Sequence, residues 1–280
     1  MSFVRRTTST PLPSILGHDP SNDNDLKFAW ILMEHIPGTV LERAWRSLSM
    51  FHKENAVRQL AQYQSELFRK STRFDIIGSL TQTSQESYSI GSMTSMIFSW
   101  GERGDQYINR GPFKNIFEWL SARLNLAIRD QDRILASTDD EDDIEDAQNA
   151  NKNVLVDQSD NITAPLDWEF VSDVPVWMAV QPPAILHSQI RLEEPRKDGY
   201  APHNPEFGRD DEEYNQGITD LYWIHLLEYE CTQLRSLFLF EMERLSPEWL
   251  VQYRAGEVKR DFELAVQNYD DGFTMRMVQV

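Results

Sequence analysis

Three stretches of the sequence repeat apolar residues every three to four positions, a pattern that long helices satisfy by packing against one another. Val57, Leu60, Ala61, Gln64, Leu67 and Phe68 fall on one face of a helix of roughly five turns, with charges opposite. A second helix is expected from about Phe113, with Ile116, Trp119, Leu120, Leu124, Ala127 and Ile128 on its buried side. A third spans Thr219 to Glu243 and turns Leu221, Ile224, Leu227, Leu234, Leu237 and Phe238 inward. The stretch VPVWMAVQPPAIL also reads as helical, and a last helix is expected from Pro247 to Tyr269.

Strand signals are fewer. Residues 1–26 are rich in Ser, Thr, Pro, Asn and Asp, with an apolar patch at Leu12 to Leu16 and the turn-like HDPSNDND after it. FAWILMEHIPG then reads as a buried strand over Phe28 to Ile36, closed by the turn pair Pro37 and Gly38. FDIIGSL is a short apolar run, followed by a Ser/Thr-rich loop through about Gly111. Two short strands, Asn153 to Asp157 and Ile162 to Asp167, flank the polar turn Gln158 to Asn161. No repeat period is visible, so the expectation is an α+β chain: one helix-rich domain with a strand fragment at its front and a hairpin in its middle.

The formal charge of −18 argues against nucleic acid as a partner, because a phosphate-binding face needs clustered Lys and Arg. Seven of the eight residues from Asp139 to Asp146 are acidic, but this run has no glycine for a calcium loop. A single cysteine, Cys231, excludes an intramolecular disulfide framework and points to a reducing compartment. Apolar runs such as Trp30 to Met33 fall far short of the ~20 residues that span a bilayer, so no membrane partner is expected and the location is read as cytoplasmic.

Asp167 stands fourteen positions after Asn153, with the turn at the midpoint, so the two ends of the hairpin should meet. An amide oxygen and a carboxylate at one mouth suit Mg²⁺, which takes a few protein oxygens and keeps waters or phosphates for the rest. A plain surface hairpin with ordinary turn-flanking polar residues fits the spacing equally well. Asp157, Ser159, Asn161 and Thr163 do not make a calcium loop, because its sixth position is Ile162 and its twelfth is Trp168.

WILMEHIPG at Trp30, RGPFKNIFEWLSARL at Arg110, NVLVDQSDNITAPLDWEF at Asn153, PVWMAVQPPAIL at Pro175 and LYWIHLLEYECTQLRSLF at Leu221 occur in an order that resembles the fungal branch of the aminoglycoside phosphotransferase family. These are small-molecule kinases with a protein-kinase-like, choline-kinase-like fold. The resemblance implies a remnant of the small lobe and hinge over residues 1–38 and the helical C-terminal lobe over residues 39–280. It implies that the backbone of Glu34, His35 and Ile36 holds the adenine of ATP, that Asn153 and Asp167 bind Mg²⁺, and that the acceptor is a hydroxyl of a small molecule.

The family also places an Asp, the acid/base residue, five positions before the metal-binding Asn, and here that position is Gln148. An amide can position a hydroxyl but cannot take its proton. Asp146 is the nearest upstream carboxylate, and no His lies between His52 and His187. Only Gly17 precedes Gly38, too few glycines for a phosphate-cradling loop, and the sole upstream lysine, Lys27, sits on the strand leading to the hinge. The sequence therefore reads as a phosphotransferase-like chain that is impaired as written. The alternative is a catalytically dead, kinase-like binding protein, whose surface left open by the missing lobe would pair with itself or with another chain.

Overall fold

The computed structural model describes residues 1–71, 74–84, 87–99, 103, 106–136, 154–159, 161–165, 172–202 and 216–261. The chain opens with helix α1 (Ser2–Thr7) and an antiparallel pair, β1 (Ile15–Asp19) and β2 (Trp30–Met33), in which Gly17 faces Leu32 and Asp19 faces Trp30. HDPSNDND is indeed the polar turn between these strands, folded by its own side chains: Asp19 accepts from the Ser21 N–H, and the Asn24 amide donates to the Ser21 and Phe28 carbonyls. The expected burial of the Phe28 to Ile36 run does not hold. Phe28, Ile31, Leu32 and Met33 are 56%, 49%, 56% and 37% exposed, because β2 pairs only with β1 and no further layer covers the pair among the described residues.

Next come β3 (Thr39–Val40), α2 (Leu41–Ala44), a short 3₁₀ turn at Trp45–Ser47 and the long helix α3 (Met50–Ser71). Val57 and Ala61 of α3 are fully buried, as their spacing predicts, and Ala56 is buried beside them. The Ser/Thr-rich segment expected to be loop holds a hairpin, β4 (Gly78–Gln82) with β5 (Tyr88–Gly91), followed by α4 (Met96–Ser99) and α5 (Ile116–Ala136). Small hydroxylated residues alternating with Leu80, Tyr88 and Ile90 carry a weak period of two that the Ser/Thr richness masks.

The middle hairpin is β6 (Val154–Val156) with β7 (Ile162–Pro165), and β8 (Ser172–Asp173) pairs with β4. VPVWMAVQPPAIL forms two single turns, α6 (Val176–Ala179) and a 3₁₀ turn at Ala184–Leu186, where a longer helix was expected. Pro182 and Pro183 remove the backbone donors that would join them. The last helices are α7 (Asp220–Leu245) and α8 (Pro247–Ala255), which ends at Gly256; residues 262–269 of the expected final helix lie outside the described residues.

Two apolar clusters result. In the first, α3 packs along α7 and closes over the hairpin: Val57 and Ala61 meet Leu234, Phe238 and Met242, with Val156, Ile162 and Trp249 filling between them. In the second, Trp119, Ala122 and Leu126 of α5 meet Met93, Phe98, Phe113 and Trp177. The buried face of α5 is thus rotated from the expected one, leaving Leu124 and Ile128 exposed. On α7 only the C-terminal half is buried as expected; Leu221, Ile224 and Leu227 are exposed because no helix among the described residues lies over that half. A strap covers part of it instead: Arg235 donates to the Leu186 and Ser188 carbonyls, Arg191 pairs with Glu228, and the Tyr200 hydroxyl meets His225 Nδ1 at 2.7 Å. Cys231 lies beneath this strap, and burial pushes its thiol up to about 11, so it is a packing group and a poor nucleophile.

Candidate functional site

The front connector and the middle hairpin belong to one sheet. β3 pairs antiparallel with β6, Thr39 facing Val156 and Val40 facing Leu155, and β6 pairs in turn with β7. Three residues after Ile36 the chain is therefore already hydrogen-bonded to the hairpin. Gly38 makes this approach possible. A Cβ there would stand 2.8 Å from the Val156 carbonyl oxygen and 3.2 Å from Thr163 Oγ1, so only glycine lets the connector lie flat on the two strands. Gly38→Ala should push the connector off the hairpin and cost about 1–3 kcal/mol, read from urea unfolding. A change below about 0.5 kcal/mol would show that the connector does not depend on this contact.

The hairpin itself is held from below and behind. Leu155, Val156 and Ile162 are buried in the first cluster, as expected from their alternation, and Val154 packs against it. Gln59 of α3 accepts the Ile162 N–H at 3.3 Å, and Asn55 donates to Asn161 Oδ1 at 3.3 Å. Neither polar residue stands out in the sequence, where only the apolar face of α3 carries a signal.

At the turn, Asp157 Oδ1 accepts the N–H groups of Ser159 and Asn161 at 2.8 and 3.0 Å, which holds its carboxyl below the usual range. This carboxylate is spent on the turn, consistent with rejecting a calcium loop there. A depressed carboxyl pKa contributes stability above its ordinary value of 3.8, and the contribution is lost as pH falls through the lower folded value. The stability advantage of the native chain over Asp157→Asn should therefore shrink below that pH. The difference is small because the group is exposed, and thermal unfolding across the acid range measures it. An advantage that is flat with pH would mean that the turn does not hold the ionised form.

Val154 faces Pro165 at the open end of the hairpin. Asn153 is the residue before Val154, and Asp167 follows Pro165 by two. Asn153, Asp167, Gln148 and Asp146 all lie outside the described residues. Among the described residues, no group of three His, Cys, Asp or Glu side chains could hold a metal ion.

Of the expected hinge residues, Glu34 is the most committed. Its N–H donates to the Ser14 carbonyl at 2.8 Å, and its Oε2 accepts from the Ser14 hydroxyl and N–H at 2.7 and 3.2 Å. The Ser14 hydroxyl, then its N–H, holds the Glu34 carboxyl below the usual range. Glu34 thus closes the β1–β2 pair, and its N–H is not free for a nucleobase. His35 and Ile36 make no hydrogen bond among the described residues, so their backbone is not committed to the β1–β2 pair as that of Glu34 is.

No family model matches the chain, and no solved structure does. Among the described residues, no helix is long and apolar enough to cross a membrane. Two curated proteins to which the chain is similar are subtelomeric hrmA-associated cluster proteins from two strains of Aspergillus fumigatus. They are 30% and 29% identical over 122 residues, a match covering 40% of this chain. That match is 24% of either relative, so the chain spans about a quarter of the length of the curated relatives it matches.

Proposed function

We propose that this chain is phosphotransferase-like, with a protein-kinase-like arrangement: a small-molecule hydroxyl is the acceptor, ATP and Mg²⁺ the co-substrates, and turnover is impaired in the chain as written. The observation that carries the reading is the sheet β3–β6–β7, in which the connector after His35 and Ile36 is paired to the hairpin whose open end leads to Asn153 and Asp167. For one nucleotide to reach both, an adenine-holding backbone and a metal-holding pair would need a fixed relation to each other, and the β3–β6 pairing fixes the connector to the hairpin. The impairment rests on Gln148, which has no proton affinity in the useful range. Loss of the base alone typically costs ~10² to 10⁴ in rate.

The purified chain is therefore expected to turn over ATP with hydroxylated acceptors no faster than buffer, and to do so equally with Asp167→Ala. Turnover that Asp167→Ala abolishes would show an active enzyme and overturn the impairment. ATP with Mg²⁺ is expected to raise the melting temperature of the native chain but not of Asp167→Ala. Identical melting of both would favour the second reading, a kinase-like binding protein that has lost nucleotide altogether. The exposed apolar residues of the β1–β2 pair favour that second reading.

A further inference from the structure

We propose that a cleft along α5 binds a neutral polyhydroxylated ring, a monosaccharide or a cyclitol. The cleft measures about 540 Å³ and is lined on one side by Asn115, Glu118, Ser121 and Asn125 of the α5 face and its preceding residue, with Asn109 opposite. This volume lies within the roughly 300–1,000 Å³ of small-ligand sites.

The chemistry of the lining selects the class. The side chains of Ser121 and Asn125 make no hydrogen bond among the described residues, so each offers a donor and an acceptor to the cleft. Asn109 and Asn115 spend their side-chain oxygens on the N–H groups of Gly111 and Glu118, each at 3.0 Å, which leaves their NH₂ groups as donors. Side chains that both donate and accept, beside others that donate, match ring hydroxyls, which present both. Phe117 is 75% exposed beside them, and Leu126 closes the floor. An aromatic face and a polar rim together suit a ring whose C–H face is apolar and whose edge is hydroxylated.

Charge excludes the neighbouring classes. Among the described residues of the lining, Glu118 is the only carboxylate, and its Oε2 already accepts the Lys114 N–H at 2.9 Å. Arg129 is the only cation among the same residues and donates from Nη1 to the Tyr107 carbonyl at 2.7 Å. One charge of each sign balances the cleft, favouring neither a polycation nor a phosphate. None of these residues belongs to the connector or the hairpin, so the inference stands apart from the phosphotransferase reading.

Saturation-transfer NMR on the full chain, without nucleotide or metal, tests it with glucose, mannose and myo-inositol, and with glucosamine and glucose 6-phosphate as charged counterparts. The expected result is saturable binding of at least one neutral ring, with a dissociation constant on the order of 1 mM, weakened about tenfold by Asn125→Leu and by Phe117→Ala. Both side chains are exposed, so thermal unfolding should be unchanged in the two variants and any loss reads the site. The proposal is overturned if no neutral ring binds saturably, if only the charged compounds bind, or if both variants bind as the native chain does.

Discussion

Lys53→Ala should destabilise the protein by about 3–5 kcal/mol in urea unfolding, the range for removing one partner of a buried ion pair. Lys53 Nζ stands 2.7 Å from both oxygens of Glu230, and the two side chains are 4% and 17% exposed. The ammonium also lies 5.4 Å from the centre of the Trp45 ring. The pair joins the start of α3 to the middle of α7, the two helices that pack most extensively on each other. Alanine would leave the Glu230 carboxylate beside the core without its cation, and the cost arises from that stranded charge more than from lost attraction.

The double variant Lys53→Met with Glu230→Leu should accordingly recover most of the loss, because apolar groups of similar volume replace a buried pair at little cost. By contrast, Arg58→Ala breaks a half-exposed i,i+4 pair with Glu54 at 3.0 Å, for which ~0.3–0.5 kcal/mol is the usual scale. Its further contact with Glu241 at 3.6 Å is shared with Arg244, which holds the same carboxylate at 2.7 Å. If Lys53→Ala cost under about 1 kcal/mol, the pair would be behaving as a surface pair and the α3–α7 seam would be wetter than its packing implies.

What could be read from sequence follows from which physical signal each element carries. The middle hairpin was legible almost to the residue because Val154 to Val156 and Ile162 to Pro165 bracket a polar turn, and Asp157 folds that turn with its own carboxylate. The long helices were legible as helices, but their orientation was less so. Leu124 and Ile128 lie about 140° and 180° round the helix from Trp119, in a second apolar stripe with Phe117 and Leu120, and periodicity alone does not say which of the two stripes has a partner. On α5 the large Trp119 decides, drawing Ala122 and Leu126 inward and turning the polar row of Glu118, Ser121 and Asn125 onto the cleft. On α7 the limit is where α3 meets it: Lys53, near the start of α3, reaches Glu230 at mid-helix, and Val57 and Ala61 join the half that carries Leu234, Phe238 and Met242. The exposure of β2 has the same origin: its composition is that of a buried strand, and burial needs a second layer that composition cannot report.

The candidate site was legible through its parts rather than its assembly. Pro37 and Gly38 read as a turn but run as an irregular connector without one, and that Gly38 lies on the Val156 carbonyl, and so couples connector to hairpin, depends on a pairing between residues more than a hundred positions apart.

Trp119→Ala should cost about 3–5 kcal/mol, the range for truncating a buried Trp, and should also abolish ring binding in the α5 cleft. The indole is fully buried, sits edge-on to Trp177 with ring centres 6.0 Å apart, and has the Arg123 guanidinium 5.9 Å from it. It is the largest group holding α5 to Phe98, Phe113 and Trp177, so removing it releases the helix that presents Ser121 and Asn125. Trp249→Ala supplies the matched control. That residue is as deeply buried and sits edge-on to Phe238 with ring centres 5.7 Å apart, but it belongs to the α3–α7 cluster.

Its stability loss should fall in the same ~3–5 kcal/mol range while the cleft still binds, measured at a temperature where both variants remain folded. The two clusters do touch: a Cβ on Gly256 would lie 2.7 Å from Trp177 Cβ, and Arg260 donates to the Trp177 carbonyl at 3.4 Å. If Trp249→Ala abolished ring binding as well, that contact would be transmitting disorder from α8 to α5, and the two clusters would have to be treated as one cooperative core.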